Sequence, residues 1–249
     1  MVSREEMSRS FGAAASLYES ARPSYPQEAV RWMLEPAKKM RETLRVADVG
    51  AGTGKLTRVI LSLGADVIAI EPDEKMLAVL REELPEAATH VGSAERLPIG
   101  DASVDAVVLG QAWHWVNPEI ASLEIARVLS PGGVLGLVWN IRDESIPWVH
   151  RLTQIVHGSK AEEMLAEGNP FVATPFGNLE KFEWRWSRAM TRKQLVDMVQ
   201  SRSYVLTAPA DERARIGREL SSLFDDLKLT GETTIDLPYV TKAYRARVV

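Results

Sequence analysis

From residue 46 onward, short β-branched runs alternate with longer stretches whose apolar residues recur every three or four positions, the pattern of a mostly parallel sheet covered by helices. Val46–Val49 reads as a strand, and Lys55–Leu63 follows as a helix with Leu56, Val59, Ile60 and Leu63 on one face and Gly64 at its end. Asp66–Ile70 is a second strand, and Glu74–Leu84 a second helix that Pro85 stops. A short third strand is expected over Thr89–Gly92. Val104–Leu109 is almost continuously aliphatic, as a central strand buried on both faces must be. Asn117 is placed to cap a helix with Pro118 at its first position, running to Leu129. Pro131-Gly132-Gly133 then turns the chain into a fifth strand, Val134–Trp139.

Past residue 140 the punctuation becomes irregular. Pro147–Val156 has the spacing of a helix, while 157–180, rich in Gly and Pro, reads as a cap insertion. Lys181–Met190 alternates Phe182, Trp184 and Trp186 with charged residues, a strand buried on one face. Thr191–Gln200 and Ala210–Leu227 are helical in pattern, and Thr233–Val248 supplies closing strand material that Pro238 is expected to interrupt. A late hairpin at one sheet edge fits these segments. The whole chain, 1–249, is expected to form a single domain.

Composition narrows the function classes. The 249 residues carry 30 Lys+Arg against 34 Asp+Glu, a net charge of −4, so no basic excess exists to track a nucleic-acid backbone. With Cys at 0, disulfides, thiolate zinc sites, Fe–S clusters and cysteine nucleophiles are excluded together. The histidines show no zinc spacing, and no metal site is expected. No run approaches the roughly 18 apolar residues of a membrane span, and a cytoplasmic protein is expected. Trp (7) outnumbers both Tyr (5) and Phe (5), an excess that directs attention to indole-lined sites.

Candidate chemistry gathers at the carboxyl ends of the strands, where open α/β sheets bind ligands. Asp48-Val49-Gly50-Ala51-Gly52-Thr53-Gly54-Lys55 is a strand entering a glycine-rich turn that opens a helix. Glycines there permit positive φ and close approach of a ligand, and the helix start offers free N–H groups. The spacing is G-x-G-x-G, neither the dinucleotide fingerprint nor a P-loop. Glu71 ends the second strand about 20 residues on, where a carboxylate accepts hydrogen bonds from ribose hydroxyls. Gly92-Ser93-Ala94-Glu95-Arg96-Leu97-Pro98 follows the third strand, and Gly110-Gln111-Ala112-Trp113-His114-Trp115 the fourth.

These motifs, with Ala126-Arg127-Val128-Leu129-Ser130-Pro131-Gly132-Gly133, resemble in order those of the class I S-adenosylmethionine-dependent methyltransferases, in particular the small-molecule branch with ubiquinone/menaquinone-biosynthesis-type and trans-aconitate-type enzymes. The resemblance covers residues 10 to 140 by motif. It implies a Rossmann-like, seven-stranded, mainly parallel sheet with helices on both faces and one late antiparallel strand. S-adenosyl-L-methionine would be the cofactor and S-adenosyl-L-homocysteine the product. Gly50, Gly52 and Gly54 would approach its methionine and ribose portions, Asp48 would face its amino group, and Glu71, followed by Pro72, would hold the ribose. Ala94 and Glu95 would border the adenine and Gln111 would lie beneath the cofactor.

Residues 1–40 resemble the helical lid of this branch. Tyr18 and Tyr25 would close over the sulfonium or acceptor, and Arg22 would pair with the cofactor carboxylate; an amphipathic surface helix ending at Arg22-Pro23 is the plainer alternative. Trp113, Trp139 and Asn140 are expected to bind the acceptor, and His114 and Trp115 to act on it. For a hydroxyl acceptor His114 would be the base, while for a carboxylate it or the Trp115 indole would donate a hydrogen bond; core packing of the tryptophans is the alternative. The acceptor is expected to be a small-molecule carboxylate or hydroxyl, methylated by in-line displacement. The D/N-P-P-Y/F tetrapeptide of nucleic-acid amino methylation is missing after the fourth strand. A non-catalytic S-adenosylmethionine-binding module and a nicotinamide-dependent oxidoreductase are the competing readings, and the glycine spacing speaks against the latter.

Overall fold

A computed structural model describes residues 22–37, 42–202, 205 and 207–249. Elements in chain order are α1 (Gln27–Leu34), β1 (Arg45–Val49), α2 (Lys55–Ser62), β2 (Asp66–Glu71), α3 (Glu74–Glu83), β3 (Ala88–Val91), β4 (Val104–Gly110), α4 (Pro118–Val128), β5 (Leu129–Arg142), α5 (Pro147–Val156), α6 (Lys160–Glu167), β6 (Glu180–Thr191), α7 (Arg192–Gln200), α8 (Ala210–Asp226) and β7 (Thr234–Arg247). The sheet has 7 strands in the order β3-β2-β1-β4-β5-β7-β6. β1 to β5 pair in parallel, and β7 runs antiparallel between β5 and β6. β7 is thus the single reversed strand, as the resemblance implied, and its long pairing with β6 takes the place of a tight hairpin.

Strand parity decides which face each residue covers. On β4, Ala106 and Val108 join a core with Val30, Met33 and Leu34 of α1 and Leu56, Val59 and Ile60 of α2. Val107 and Leu109 point to the opposite core, with Ile125 and Val128 of α4. Asn117 caps α4 as expected: its side-chain oxygen accepts from the N–H groups of Glu119 at 3.1 Å and Ile120 at 3.3 Å.

A third cluster lies apart, built from Val149, Leu152 and Val156 of α5, Leu195 and Val199 of α7, Ile216, Leu220 and Phe224 of α8, and Met190, Leu237 and Tyr239 at the strand ends. The stretch 157–180, expected as the cap, contains α6, whose Ser159 and Glu162 form a capping box. The layer facing the carboxyl ends of β1 and β4 also includes α7. Residues 1–21, including Tyr18, lie outside the described residues, and the described helix of the expected lid, α1, packs on the sheet.

Pro238 does not interrupt β7, which is continuous from Thr234 to Arg247. In an antiparallel strand the N and C=O of one residue face the same neighbour. The Pro238 carbonyl accepts the Asp143 N–H at 2.9 Å, just past the end of β5, so the missing donor costs one bond at the ladder's end.

Candidate active site

One cleft runs from the glycine turn after β1 to the helices above the sheet. Its walls include Asp48, Gly50, Gly52, Lys55, Gly110, Gln111, Asn140 and Arg142 from the sheet side, Arg22 and Tyr25 from the entering chain, and Glu162, Met198, Arg202 and Tyr239 from the far side. Its empty volume, open mouth included, is about 820 Å³, within the range of small-molecule sites.

The three turn glycines all have positive φ but differ in surroundings. A Cβ on Gly50 would sit 2.7 Å from the Ala112 Cβ, and one on Gly54 would sit 2.8 Å from Leu84 Cδ1. On Gly52 the nearest atom would be Met76 Sδ at 3.9 Å. Gly50 and Gly54 are therefore small for the sake of packing, whereas the space beside Gly52 belongs to the cleft.

Asp48 is fully buried at the carboxyl end of β1. Its Oδ2 accepts the Thr57 hydroxyl at 2.6 Å, while Oδ1 has no hydrogen-bond partner. Burial pushes this carboxyl up to about 7 despite the Thr57 bond, and the Glu71 charge adds to the rise. A buried carboxylate oxygen without a partner on a cleft wall suits an ammonium ligand. Glu71 is also buried and shifted upward, mainly by burial. Its Oε2 accepts the Gly52 N–H at 2.9 Å and its Oε1 the Asp73 N–H at 3.0 Å, so it braces the glycine turn. Pro72 is exposed beside it.

Farther along the strand ends, Ala94 is buried, and the Glu95 carboxylate accepts the Asn117 N–H at 2.8 Å, tying the loop after β3 to the start of α4. Gln111 adopts φ 56°, a left-handed backbone uncommon for a side-chain-bearing residue, and its amide donates to the Asn140 carbonyl at 2.9 Å. Gly110 has no room for a side chain because the Tyr25 hydroxyl lies 2.7 Å from where its Cβ would be. The Asn140 amide donates to the Ser24 carbonyl at 3.0 Å and accepts the Thr241 hydroxyl at 2.7 Å, fastening the entering chain to β5 and β7.

Two acceptor-site expectations are corrected. Trp113 and Trp139 are 3% and 0% exposed and pack in the core shared with α4. The Trp113 indole donates to the Phe171 carbonyl at 2.9 Å, and Trp139 lies edge-on to Tyr244. The expected indole-lined pocket is thus absent from the cleft among the described residues. His114 and Trp115 lie beside each other, 4.9 Å between ring centres, with the Lys160 ammonium 5.0 Å from the Trp115 ring. Neither lines the cleft. The Trp139 indole N–H points to His114 Nδ1 at 3.5 Å.

Arg142, Glu162, Arg202 and Tyr239 were not anticipated. Arg142 closes β5 two residues after Asn140, which follows the apolar run Val134–Trp139, a signal that was readable; Glu162 and Arg202 come together only through packing of the helices. Arg142 Nη2 donates to Glu162 Oε1 at 3.2 Å, and Arg202 Nη1 lies 3.8 Å from Glu162 Oε2. Burial would raise the Glu162 carboxyl, but the two guanidiniums and the Ser159 hydrogen bonds hold it at about 2. Tyr239 is raised by burial, against the pull of Arg142, Arg22, Arg188 and Arg202.

A doubly wound sheet with a glycine turn, a buried aspartate with one unpartnered oxygen and a cleft at the strand ends has the layout of a nucleotide-type site. The family model described as a methyltransferase domain matches residues 47–137. The uncharacterized methyltransferase Rv3342 of Mycobacterium tuberculosis is 44% identical over 247 residues, 98% of each chain. The malonyl-[acyl-carrier protein] O-methyltransferase of Pseudescherichia vulneris is 30% identical over 176 residues, 67% of this chain and 68% of that one. Among solved structures, a candidate type II methyltransferase of Anaeromyxobacter dehalogenans aligns with TM-score 0.64 at 24% identity, covering 92% of this chain and 98% of that one. The chain belongs to the S-adenosylmethionine-dependent methyltransferases. The cofactor fits what the cleft offers, an unpartnered Asp48 oxygen and space beside Gly52. Among the described residues no helix is long and apolar enough to cross a membrane.

Proposed function

We propose that the enzyme methylates a small-molecule carboxylate or hydroxyl in the cytoplasm. The observation that carries this reading is the continuity of the cleft, which joins the glycine turn to a polar chamber walled by β5, β7, α6 and Arg202. When bound, S-adenosylmethionine supplies an electrophilic methyl on its sulfonium; the C–S bond breaks as the acceptor oxygen forms the new C–O bond. The protein's part is alignment and exclusion of water. Asp48 would hold the cofactor amino group, Glu71 would keep the glycine turn in shape and meet the ribose, Ala94 and Glu95 would flank the base, and Gln111 would lie beneath the cofactor. Tyr25 and Arg22 would close the entering side. A carboxylate is the favoured acceptor, because it needs no base and no histidine lines the cleft among the described residues. The relative that acts as an O-methyltransferase on malonyl-[acyl-carrier protein] is in keeping with oxygen as the methylated atom.

The test is transfer of labelled methyl to a panel of carboxylic acids, phenols and amines. Turnover of acids giving label that mild base releases as methanol is the expected result. Transfer only to amines or to macromolecules would overturn the proposal.

A further inference from the structure

The parity that turns Trp139 into the core turns Asn140 and Arg142 to the opposite face of β5, where both line the cleft. Arg142 is 3% exposed. Its Nε and Nη1, three N–H donors between them, are buried without a hydrogen-bond partner. A guanidinium keeps its charge at any working pH, and buried charged donors left unmet are costly, so an acceptor from the cleft is called for. The protein's nearby carboxylate does not supply it. Glu162 already serves Arg142 Nη2 and Arg202, and its Oε2 accepts the Ser159 N–H at 2.6 Å. Arg22 and Lys55 add further positive charge to the same walls. The cofactor's own carboxylate is an unsuitable partner, because β4 separates β5 from β1 and the glycine turn, about 10 Å at two strand spacings.

We infer that Arg142 anchors an oxyanion of the methyl acceptor, a carboxylate or phosphoryl group, with Glu162 and Arg202 fixing the guanidinium in place. The acceptor is then an organic anion, and the chamber selects it by charge where an indole lining would select it by aromatic contact. This inference rests on the reading of the cleft as an acceptor site.

Calorimetric titration of malonate, and separately of inorganic phosphate, into protein saturated with S-adenosylhomocysteine tests it. The unaltered protein is expected to bind at least one of the two, and which one binds identifies the group. Arg142→Met should weaken that binding roughly tenfold or more. Arg142→Lys, which keeps charge but loses the planar donors, should fall between. Both variants should bind S-adenosylhomocysteine within about twofold of the unaltered protein; if Arg142→Met fails to fold, Arg142→Lys decides alone. Anion binding indifferent to Arg142, no anion binding by protein that holds S-adenosylhomocysteine, or a parallel loss of S-adenosylhomocysteine affinity would each overturn the assignment. Because the titration reads binding and not turnover, its outcome is separate from that of the transfer assay.

Discussion

Replacing the turn glycines one at a time with alanine should separate their roles. All three have positive φ, 70° at Gly50, 57° at Gly52 and 92° at Gly54, so each substitution carries a left-handed backbone penalty of about 1–2 kcal/mol. At Gly54 the new methyl also meets Leu84 Cδ1 at 2.8 Å and Leu80 Cγ at 3.0 Å, adding roughly 1–3 kcal/mol of overpacking. Gly52→Ala has no such neighbour, only Met76 Sδ at 3.9 Å. At about 2–4 °C per kcal/mol for a chain of this size, Gly52→Ala should lower Tm by about 2–8 °C and Gly54→Ala by about 4–20 °C. Affinity for S-adenosylhomocysteine should run the other way. Gly52 lines the cleft and Gly54 does not, so Gly52→Ala should weaken binding about tenfold or more, a penalty of about 1.4 kcal/mol, while Gly54→Ala stays within about threefold. Thermal scans paired with calorimetry, at a temperature where both variants are folded, give the comparison. A greater loss of affinity in Gly54→Ala than in Gly52→Ala would show that the cofactor does not lie against Gly52.

Two further outcomes follow from the site. Because burial holds Asp48 protonated up to about pH 7, binding the cofactor's ammonium must drive the proton off below that pH; S-adenosylhomocysteine affinity should rise up to tenfold per unit toward pH 7 and level above it. Calorimetry in two buffers of different ionisation enthalpy should show proton release near pH 6 and little near pH 8, and a flat profile would remove Asp48 from the ammonium site. Trp113→Phe should act on the core, losing the bond to the Phe171 carbonyl and some volume, about 1–3 kcal/mol, with acceptor KM unchanged within about twofold; an unchanged Tm with a KM raised tenfold would return Trp113 to the acceptor site.

What could be read in advance follows from which signals are local. The run Val104–Leu109, the Asn117-Pro118 cap and the glycine turn each act within a few residues, and each stands in the structure where the pattern put it. Strand parity turns Trp139 inward, and the short helical turn after β4 turns Trp113 inward, where its indole meets the Phe171 carbonyl. Trp139 shares one face and one core with Leu135 and Leu137, while Asn140 and Arg142 share the other face, a distinction of one residue already present in the pattern. The Arg142–Glu162–Arg202 cluster was out of reach for another reason. Its members lie 20 and 40 residues apart and meet only because α6 and α7 pack above the sheet, with no local period to announce it.

The separate hydrophobic cluster of α5, α7 and α8 gives the enzyme a second apolar interior beside the sheet cores. The family match ends at residue 137, on the strand that leads to Arg142, and Glu162, Met198, Arg202 and Tyr239 all come after it. Met198 and Tyr239 belong to that second apolar interior, whereas Glu162 sits on α6, whose Ala161 and Leu165 pack into the sheet core. If the far wall of the cleft receives the acceptor, substitutions at Met198 and Tyr239 would alter that end of the site while leaving the glycine turn and its bracing carboxylate in place.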